Sequence, residues 1–407
     1  MRTIRPSSSL TNVRYEIRGG LARRAHEMER RGYEIIPLNI GNPGLFGFRT
    51  PETMRLAMIE NLKSSEAYCH QKGVFPAREA VVMQQQSRGV RGVSADEVFM
   101  GNGVSELIDL VLRALLSTDD EVLVPSPDYP LWTAAVTLNH GRAVHYPCRP
   151  ENGFEPDVRD IEALITSRTR AIVVINPNNP TGAVYSRATL TAIAQLAEKH
   201  HLVVFSDEIY DQLLYGDAEF VPMATLVNGT LCATLAGLSK VYRACGYRVG
   251  WAVFSGEIDH AGDYLNALDK LSSLRLCSNV PGQWAVQTAL GGYQSINELV
   301  GEGGRLRRQR DLAYDLITAI PGVTCVKPTA ALYMFPRLDP KVYPIADDRQ
   351  FFLELLQETR VMLVQGTGFN WATPDHFRIV FLPHEEDLRE AVGRIAGFLE
   401  RYRNRGA

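Results

Sequence analysis

Two periods of apolar residue alternate along the middle of this chain. From about residue 95 to 255, short continuous apolar runs are separated by stretches in which apolar positions recur every three to four residues. Glu97-Val98-Phe99-Met100 leads into a helix pattern at 105–116, and Glu121-Val122-Leu123-Val124 follows it. Ala171-Ile172-Val173-Val174-Ile175, a helix pattern at 187–200, Leu202-Val203-Val204-Phe205 and an uncharged run at 231–238 continue the series. Strands that are apolar on both faces and separated by helices predict an α/β fold with a largely parallel sheet covered on both sides. Before this region, residues 20–29 form an amphipathic helix pattern, Ile35 to Ile40 read as extended, and Gly41-Asn42-Pro43-Gly44 breaks the chain. After it, one long helical stretch from 283 to about 320 is expected to lead into a smaller α/β unit. That unit has strands around Thr324-Cys325-Val326, Ala331-Leu332-Tyr333-Met334-Phe335 and His376-Phe377-Arg378-Ile379-Val380-Phe381, and helices near 348–359 and 385–402. The expected division is an arm and part of the small domain at 1–45, a large domain at 46–295, and the rest of the small domain at 296–407.

Composition narrows the partners. A chain of 407 residues with 45% apolar and 22% charged residues is ordinary for a globular protein, and a net charge of −3 offers no basic field for nucleic acid or anionic lipid. The apolar runs are strand-sized, too short for a bilayer, and the first residues lack the apolar run of a signal peptide. Six cysteines without a C-x-x-C pair read as free, buried thiols in a reducing cytoplasm. No His and Cys spacing suggests a metal site.

Chemistry-bearing residues stand just past the apolar runs, where ligands of parallel sheets bind. Lys240 ends Ala236-Gly237-Leu238-Ser239-Lys240, and Arg248 follows eight positions later in Tyr247-Arg248-Val249-Gly250-Trp251. A lone lysine is normally a solvated surface residue. One that follows an uncharged run, with a cation near enough to share a phosphate, suits nucleophilic cofactor chemistry. Asp207 ends the run 202–206, where a carboxylate pairs with a protonated ring nitrogen or, alternatively, caps a helix. Asn176-Pro177-Asn178-Asn179-Pro180-Thr181-Gly182 is either a plain turn or a fixed, cis-containing one that aims the Asn179 amide at a cofactor oxygen. Tyr210 is placed to reach the same oxygen. Gly101-Asn102-Gly103-Val104-Ser105 runs from strand to helix, so the N–H groups of Val104 and Ser105 make a phosphate cradle or a simple capped start. Glu106 stands where a dinucleotide fingerprint needs glycine. Tyr129 either stacks on an aromatic ring or packs in the core. Arg378, inside an apolar strand, must meet an anion if buried, either a side chain or a substrate carboxylate. An amine, a strand-end carboxylate, a turn amide and a second cation together suit an anionic, nitrogen-containing aromatic cofactor. That description fits pyridoxal phosphate joined to Lys240 as an imine.

With these motifs in this order, from Tyr15-Glu16-Ile17-Arg18-Gly19 to Phe377-Arg378-Ile379-Val380, the chain resembles the class I/II pyridoxal-phosphate aminotransferases of the aspartate-aminotransferase fold, and within them the bacterial alanine (glutamate–pyruvate) aminotransferases. The resemblance implies a seven-stranded, mostly parallel sheet and ping-pong transamination between alanine and 2-oxoglutarate, giving pyruvate and glutamate. It implies that Lys240 is the Schiff-base lysine, Asp207 the partner of the ring nitrogen, Asn179 and Tyr210 the ligands of the phenolic oxygen, and Tyr129 the stacking ring. Val104, Ser105, Ser239 and Arg248 resemble the phosphate cup, and Gly41, Asn179 and Arg378 the substrate side. Tyr15 is similar to a lid residue, and with Arg18 it suggests a small enclosed pocket. Tyr68 resembles a tyrosine that reaches a neighbouring subunit's phosphate, which implies a homodimer. Gly237 departs from the pattern, since many relatives carry a hydroxyl there. Competing expectations are a transaminase for another apolar or aromatic amino acid, a β-lyase or aminocyclopropane-carboxylate synthase of the same fold, and an effector-sensing regulator. Too few residues precede Tyr15 to build the DNA-binding module of the last.

Overall fold

A computed structural model describes residues 3–11 and 13–404. Its centre is a seven-stranded sheet of β1 (Val98–Gly101), β2 (Glu121–Ser126), β3 (Arg142–Pro147), β4 (Thr169–Ile175), β5 (Val203–Asp207), β6 (Leu231–Gly237) and β7 (Gly250–Gly256). Their spatial order is β1-β7-β6-β5-β4-β2-β3, and only β7 runs against its neighbours. Alternate residues of each strand enter two separate cores. Val173, Ile175, Phe205, Leu235 and Phe254 face one of them, while Ile172, Val174, Val204, Cys232 and Val253 face the other. Helices Val104–Leu115, Leu131–Leu138 and Gly262–Leu274 cover the first face, and Phe75–Ser87, Arg187–Lys199 and Val280–Gly291 the second. Burial on both faces is why these strands read as unbroken apolar runs.

Two of the seven strands carried no clear signal. β3 is an edge strand, half-exposed through Arg142 and His145, and β7 is cut short to four apolar residues by Gly250 at its start and Ser255-Gly256 at its end. The long helix expected over 283–320 is three helices, Val280–Gly291, Ile296–Val300 and Arg305–Thr318. Gly291-Gly292 ends the first, and Gly301, Gly303 (φ +70°) and Gly304 separate the other two. The cost of glycine in a helix outweighed the apolar spacing.

The amino-terminal segment is built into the carboxy-terminal third. Ile36–Pro37 pairs in parallel with Val361–Met362, and Ala25 and Met28 of helix Gly20–Arg30 pack on Leu356 and Met362. Strand Phe377–Val380 lies between Tyr333–Met334 and Val364–Gln365, both antiparallel to it, while helices Asp348–Thr359 and Glu385–Asn404 match their expected spans. In this way Gly41, at the end of the arm, and Arg378, in the far strand, come to face the open edge of the large sheet.

Candidate active site

At that edge lies a cleft of about 600 Å3, lined by Tyr15, Gly41, Val104, Ser105, Tyr129, Asn179, Asp207, Tyr210, Ser239, Lys240, Arg248 and Arg378. Thus all the candidate site residues but Tyr68 converge. Tyr68 stands on the outer surface, 77% exposed.

Lys240 follows the end of β6 and is half-buried; its Nζ donates to the Gly41 carbonyl at 2.7 Å and lies 3.9 Å from the Cys245 Sγ. Asp207, at the end of β5, is fully buried, and its Oδ2 accepts from Trp132 Nε1 at 3.0 Å. The residues directly after Asp207, 208–212, form a turn and not a helix, so the helix-cap alternative falls. Burial pushes its carboxyl up to about 6, against the hydrogen bonds from Trp132 and Ile209 and the charge of Lys240. A carboxyl raised in the folded state stabilises that state fully below the ordinary carboxylate range, and the contribution is lost as pH rises through about 6. By pH 8 the cost to the coenzyme-free protein is about 3 kcal/mol. Asp207→Asn keeps an acceptor for Trp132 and has no charge to bury. Thermal melts without coenzyme should therefore place this variant above the parent at pH 8, with the gap closing toward pH 4. A parent that melts higher at pH 8 would mean that the buried carboxylate is already neutralised by the protein.

On the opposite side, Arg378 Nη1 donates to Asn179 Oδ1 at 2.8 Å. A guanidinium can only donate, so this contact turns the Asn179 Nδ2 donor away from Arg378. The turn that carries Asn179 is buried throughout, with cis peptides at Asn176-Pro177 and Asn179-Pro180. Asn176 Oδ1 accepts from Tyr185 N at 2.9 Å, and Asn178 Oδ1 accepts from Thr181 Oγ1 at 2.8 Å. It is a fixed turn, not a plain surface one. Tyr210 OH meets Tyr333 OH at 2.9 Å, and Tyr129 OH meets Tyr15 OH at 3.1 Å. Tyr129 is half-buried and lines the cleft, which favours stacking over core packing.

Helix Val104–Leu115 starts at the same edge after Gly103, whose φ of +80° suits glycine. The N–H groups of Val104 and Ser105 have no acceptor within the helix. A Cβ on Gly103 would strike Arg248, and one on Gly250 would lie 2.6 Å from the Val104 nitrogen, so the two glycines let cation and helix end approach. Arg248 is held by the carbonyls of Cys245 at 2.8 Å and Asn102 at 3.3 Å. Glu106 does not oppose an anion there. Its carboxylate accepts from Asn102 N at 2.7 Å and Asn102 Nδ2 at 2.9 Å and pairs with Arg275 at 3.5 Å. At Gly237 a Cβ would meet the Val249 carbonyl at 2.7 Å and Gly250 Cα at 2.9 Å, so this chain has no room for a hydroxyl-bearing side chain there.

Arg378 is 1% exposed. Its guanidinium donates to Asn179 and to the Asn39 carbonyl and lies 4.4 Å from the Tyr333 ring centroid and 4.6 Å from that of Phe369. No carboxylate pairs with it among the described residues, and its Nε has no partner. Burial holds its pKa below the usual guanidinium value. The side-chain salt bridge is thus not formed, and the buried cation lines the cleft with no counter-ion among the described residues. Tyr333 and Trp132 were not singled out in the sequence. Their one signal is a hydroxyl or indole N–H within an apolar segment, which needs a partner when buried.

The donor set fits pyridoxal phosphate: an amine, a costly buried carboxylate for a ring cation, and a glycine-lined helix end with Arg248 for a phosphate. The family of class I and II aminotransferases matches residues 33–395. Over 402 residues the chain is 51% identical to the glutamate-pyruvate aminotransferase AlaA of Escherichia coli K12, with 99% of each covered. It is 49% identical over 403 residues to alanine aminotransferase of Mycobacterium tuberculosis H37Rv, covering 99% of this chain and 94% of that one. A crystal structure of an aminotransferase from Escherichia coli superposes with a TM-score of 0.97 at 51% identity, covering 98% of this chain and 99% of the other. Alanine aminotransferase from Pyrococcus furiosus does so with a TM-score of 0.92 at 37% identity, covering 98% and 100%. A match of this length and geometry leaves one assignment: the chain belongs to the class I and II aminotransferases.

Proposed function

We propose that this protein transfers the amino group between alanine and 2-oxoglutarate by a ping-pong mechanism, with pyridoxal phosphate held on Lys240. The observation that carries the reading is the buried, unpaired Arg378 facing the half-buried amine of Lys240 across one cleft. Full-length identity of 49–51% to enzymes named for alanine and glutamate–pyruvate supports the substrate pair.

When bound, pyridoxal phosphate supplies an aldehyde that condenses with amines and a ring that takes up electron density. The chain's own residues do the rest. Arg378 and Asn179 hold the substrate's α-carboxylate, which orients its Cα–H bond toward the freed Lys240 Nζ. That amine accepts the Cα proton and later returns it. Asp207 balances a positive ring nitrogen, Tyr210 and Asn179 Nδ2 donate to the ring oxygen, and Tyr129 supports the ring face. Val104, Ser105, Ser239 and Arg248 bind the phosphate. Tyr15, through its bond to Tyr129, closes the arm over the cleft and excludes water.

The protein acts as a homodimer in this reading. Leu56, Ile59, Leu62, Phe75, Leu274 and Leu276 are exposed apolar residues near Tyr68 in the chain or at the end of helix Gly262–Leu274. Exposed apolar side chains suit an interface, and in this reading a second copy carries its own Tyr68 to this phosphate site.

Alanine needs one carboxylate site and 2-oxoglutarate needs two. Arg18 is exposed, lines the cleft and forms no ion pair among the described residues, which supports it as the receptor of the second carboxylate. Mixing the protein with alanine and 2-oxoglutarate should give pyruvate and glutamate in equal amounts; no turnover of that pair, with pyruvate and ammonia released instead from an amino acid that carries a leaving group on Cβ, would point to a β-lyase. Arg18→Ala should raise KM for glutamate and 2-oxoglutarate by roughly ten- to a hundredfold, the worth of a charged hydrogen bond. KM for alanine and pyruvate should stay near the parent's. An equal rise for alanine would remove Arg18 from that role.

A further inference from the structure

The turn Gly366–Phe369 ends in Asn370, a non-glycine residue at φ +55°. The turn's first half is tied to its own unit, since Thr367 N and Oγ1 donate to the two oxygens of Asp348 at 3.0 and 2.7 Å. Its last two residues are tied instead to the end of β2 in the large sheet and to the segment that follows it. Ser126 Oγ donates to the Asn370 carbonyl at 2.8 Å, Asp128 N to the Phe369 carbonyl at 3.0 Å, and Asn370 Nδ2 to Asp128 Oδ1 at 2.8 Å. These contacts join residues more than 240 positions apart.

What they join is informative. The segment after β2 presents Tyr129 to the cleft and, through Trp132, holds Asp207. The turn presents Phe369, whose ring centroid is 4.6 Å from the Arg378 guanidinium. Asp128 is wholly buried, and its second oxygen accepts from Thr133 Oγ1 at 2.6 Å. The Thr133 hydroxyl also meets His145 Nε2 at 2.9 Å. The acid is therefore held from behind, and only Oδ1 is directed at Asn370.

We propose that Asn370 is a positioning residue for the substrate carboxylate: locked by Asp128 and Ser126, it fixes Phe369 beneath Arg378 and sets that guanidinium's place relative to the coenzyme side of the cleft. The proposal rests on the aminotransferase reading above and adds a residue that does not line the cleft. Glycine at 370 keeps the positive φ without strain while removing the amide, and Asp128–Thr133 remains intact on the coenzyme side.

The holoenzyme of Asn370→Gly, assayed with alanine and 2-oxoglutarate, should show KM raised about ten- to a hundredfold for both, the usual penalty for a misplaced binding group. Its kcat should stay within about threefold of the parent's, and its coenzyme absorbance and coenzyme affinity should be unchanged. Asn370→Asp sets two carboxylates against each other and should raise KM at least as far. Combining it with Asp128→Asn reverses the amide and the acid and should bring KM back to within about threefold. A KM within about twofold of the parent in Asn370→Gly overturns the proposal. So does a loss of coenzyme absorbance in step with KM, or a double variant no better than Asn370→Asp. A parent protein that takes up no coenzyme would instead remove the aminotransferase reading itself, before any variant is compared.

Discussion

Lys240→Ala is expected to yield a folded protein that shows no absorbance from a lysine-linked coenzyme and turns over alanine roughly 10⁴-fold more slowly than the parent. Two jobs fall on the one nitrogen. In the proposed mechanism it anchors the coenzyme covalently, and once displaced by substrate it is the base that reaches the Cα proton. Among the described residues no other amine lines the cleft; the remaining cations there, Arg18, Arg248 and Arg378, are guanidiniums, which donate hydrogen bonds and accept none. In the coenzyme-free protein Nζ makes one hydrogen bond, to the Gly41 carbonyl, and a long contact to Cys245, so removing it leaves little unsatisfied. Folding should therefore survive, and a circular dichroism spectrum matching the parent's separates loss of chemistry from loss of structure. Phosphate contacts from Val104, Ser105 and Arg248 should still retain the coenzyme non-covalently, with its free-aldehyde absorbance. Turnover within about tenfold of the parent would transfer the proton role to another group and leave the mechanism without its base.

Much of the site was legible in the chain because its chemistry sits where apolar runs stop. Asp207, Lys240 and the Asn179 turn each follow a strand buried on both faces, and in a parallel sheet all such ends open on one edge. Arg378 was legible for the opposite reason: a cation inside an apolar strand has to be accounted for. Trp132 and Tyr333 look like core residues in a linear reading, and each is defined only by a partner far away, at Asp207 and Tyr210. Asn370 is more hidden still, since a polar residue after a turn is common and its meaning lies in contacts with Ser126 and Asp128. Glu106 was read only as standing where a dinucleotide fingerprint needs glycine, and the fold gives it a partner by turning its carboxylate back to Asn102. In the fold itself, the strands that escaped notice were the polar edge strand β3 and the glycine-marked β7. The helix that was overextended broke at glycines. Periodicity reports burial, and it fades where a strand is exposed or where a backbone preference overrides side-chain spacing.

Arg378→Met should divide stability from activity in opposite directions. The guanidinium is buried, rests on two aromatic rings and hydrogen-bonds only to neutral oxygens, with its Nε unpartnered. Cation–π contacts of about 2 kcal/mol offset part of the desolvation cost, but no carboxylate of the described chain completes the pair. Methionine fills a similar length of space without a charge, and exchanges of this kind commonly stabilise by about 1–4 kcal/mol. The substrate-free variant should accordingly melt above the parent. With substrate the balance reverses. The incoming α-carboxylate would have completed a buried, two-pronged ion pair, and removing one partner of such a pair costs about 3–5 kcal/mol, or roughly 10²- to 10⁴-fold in kcat/KM. Arg378→Lys should recover little of this, because an ammonium lacks the planar fork and cannot reach Asn179 and the substrate together. Coenzyme absorbance should be the same in all three proteins, since Arg378 faces the substrate side. Melting curves without substrate and initial rates with alanine settle the matter. A less stable, fully active Arg378→Met protein would make this arginine a structural element and leave the carboxylate without its receptor.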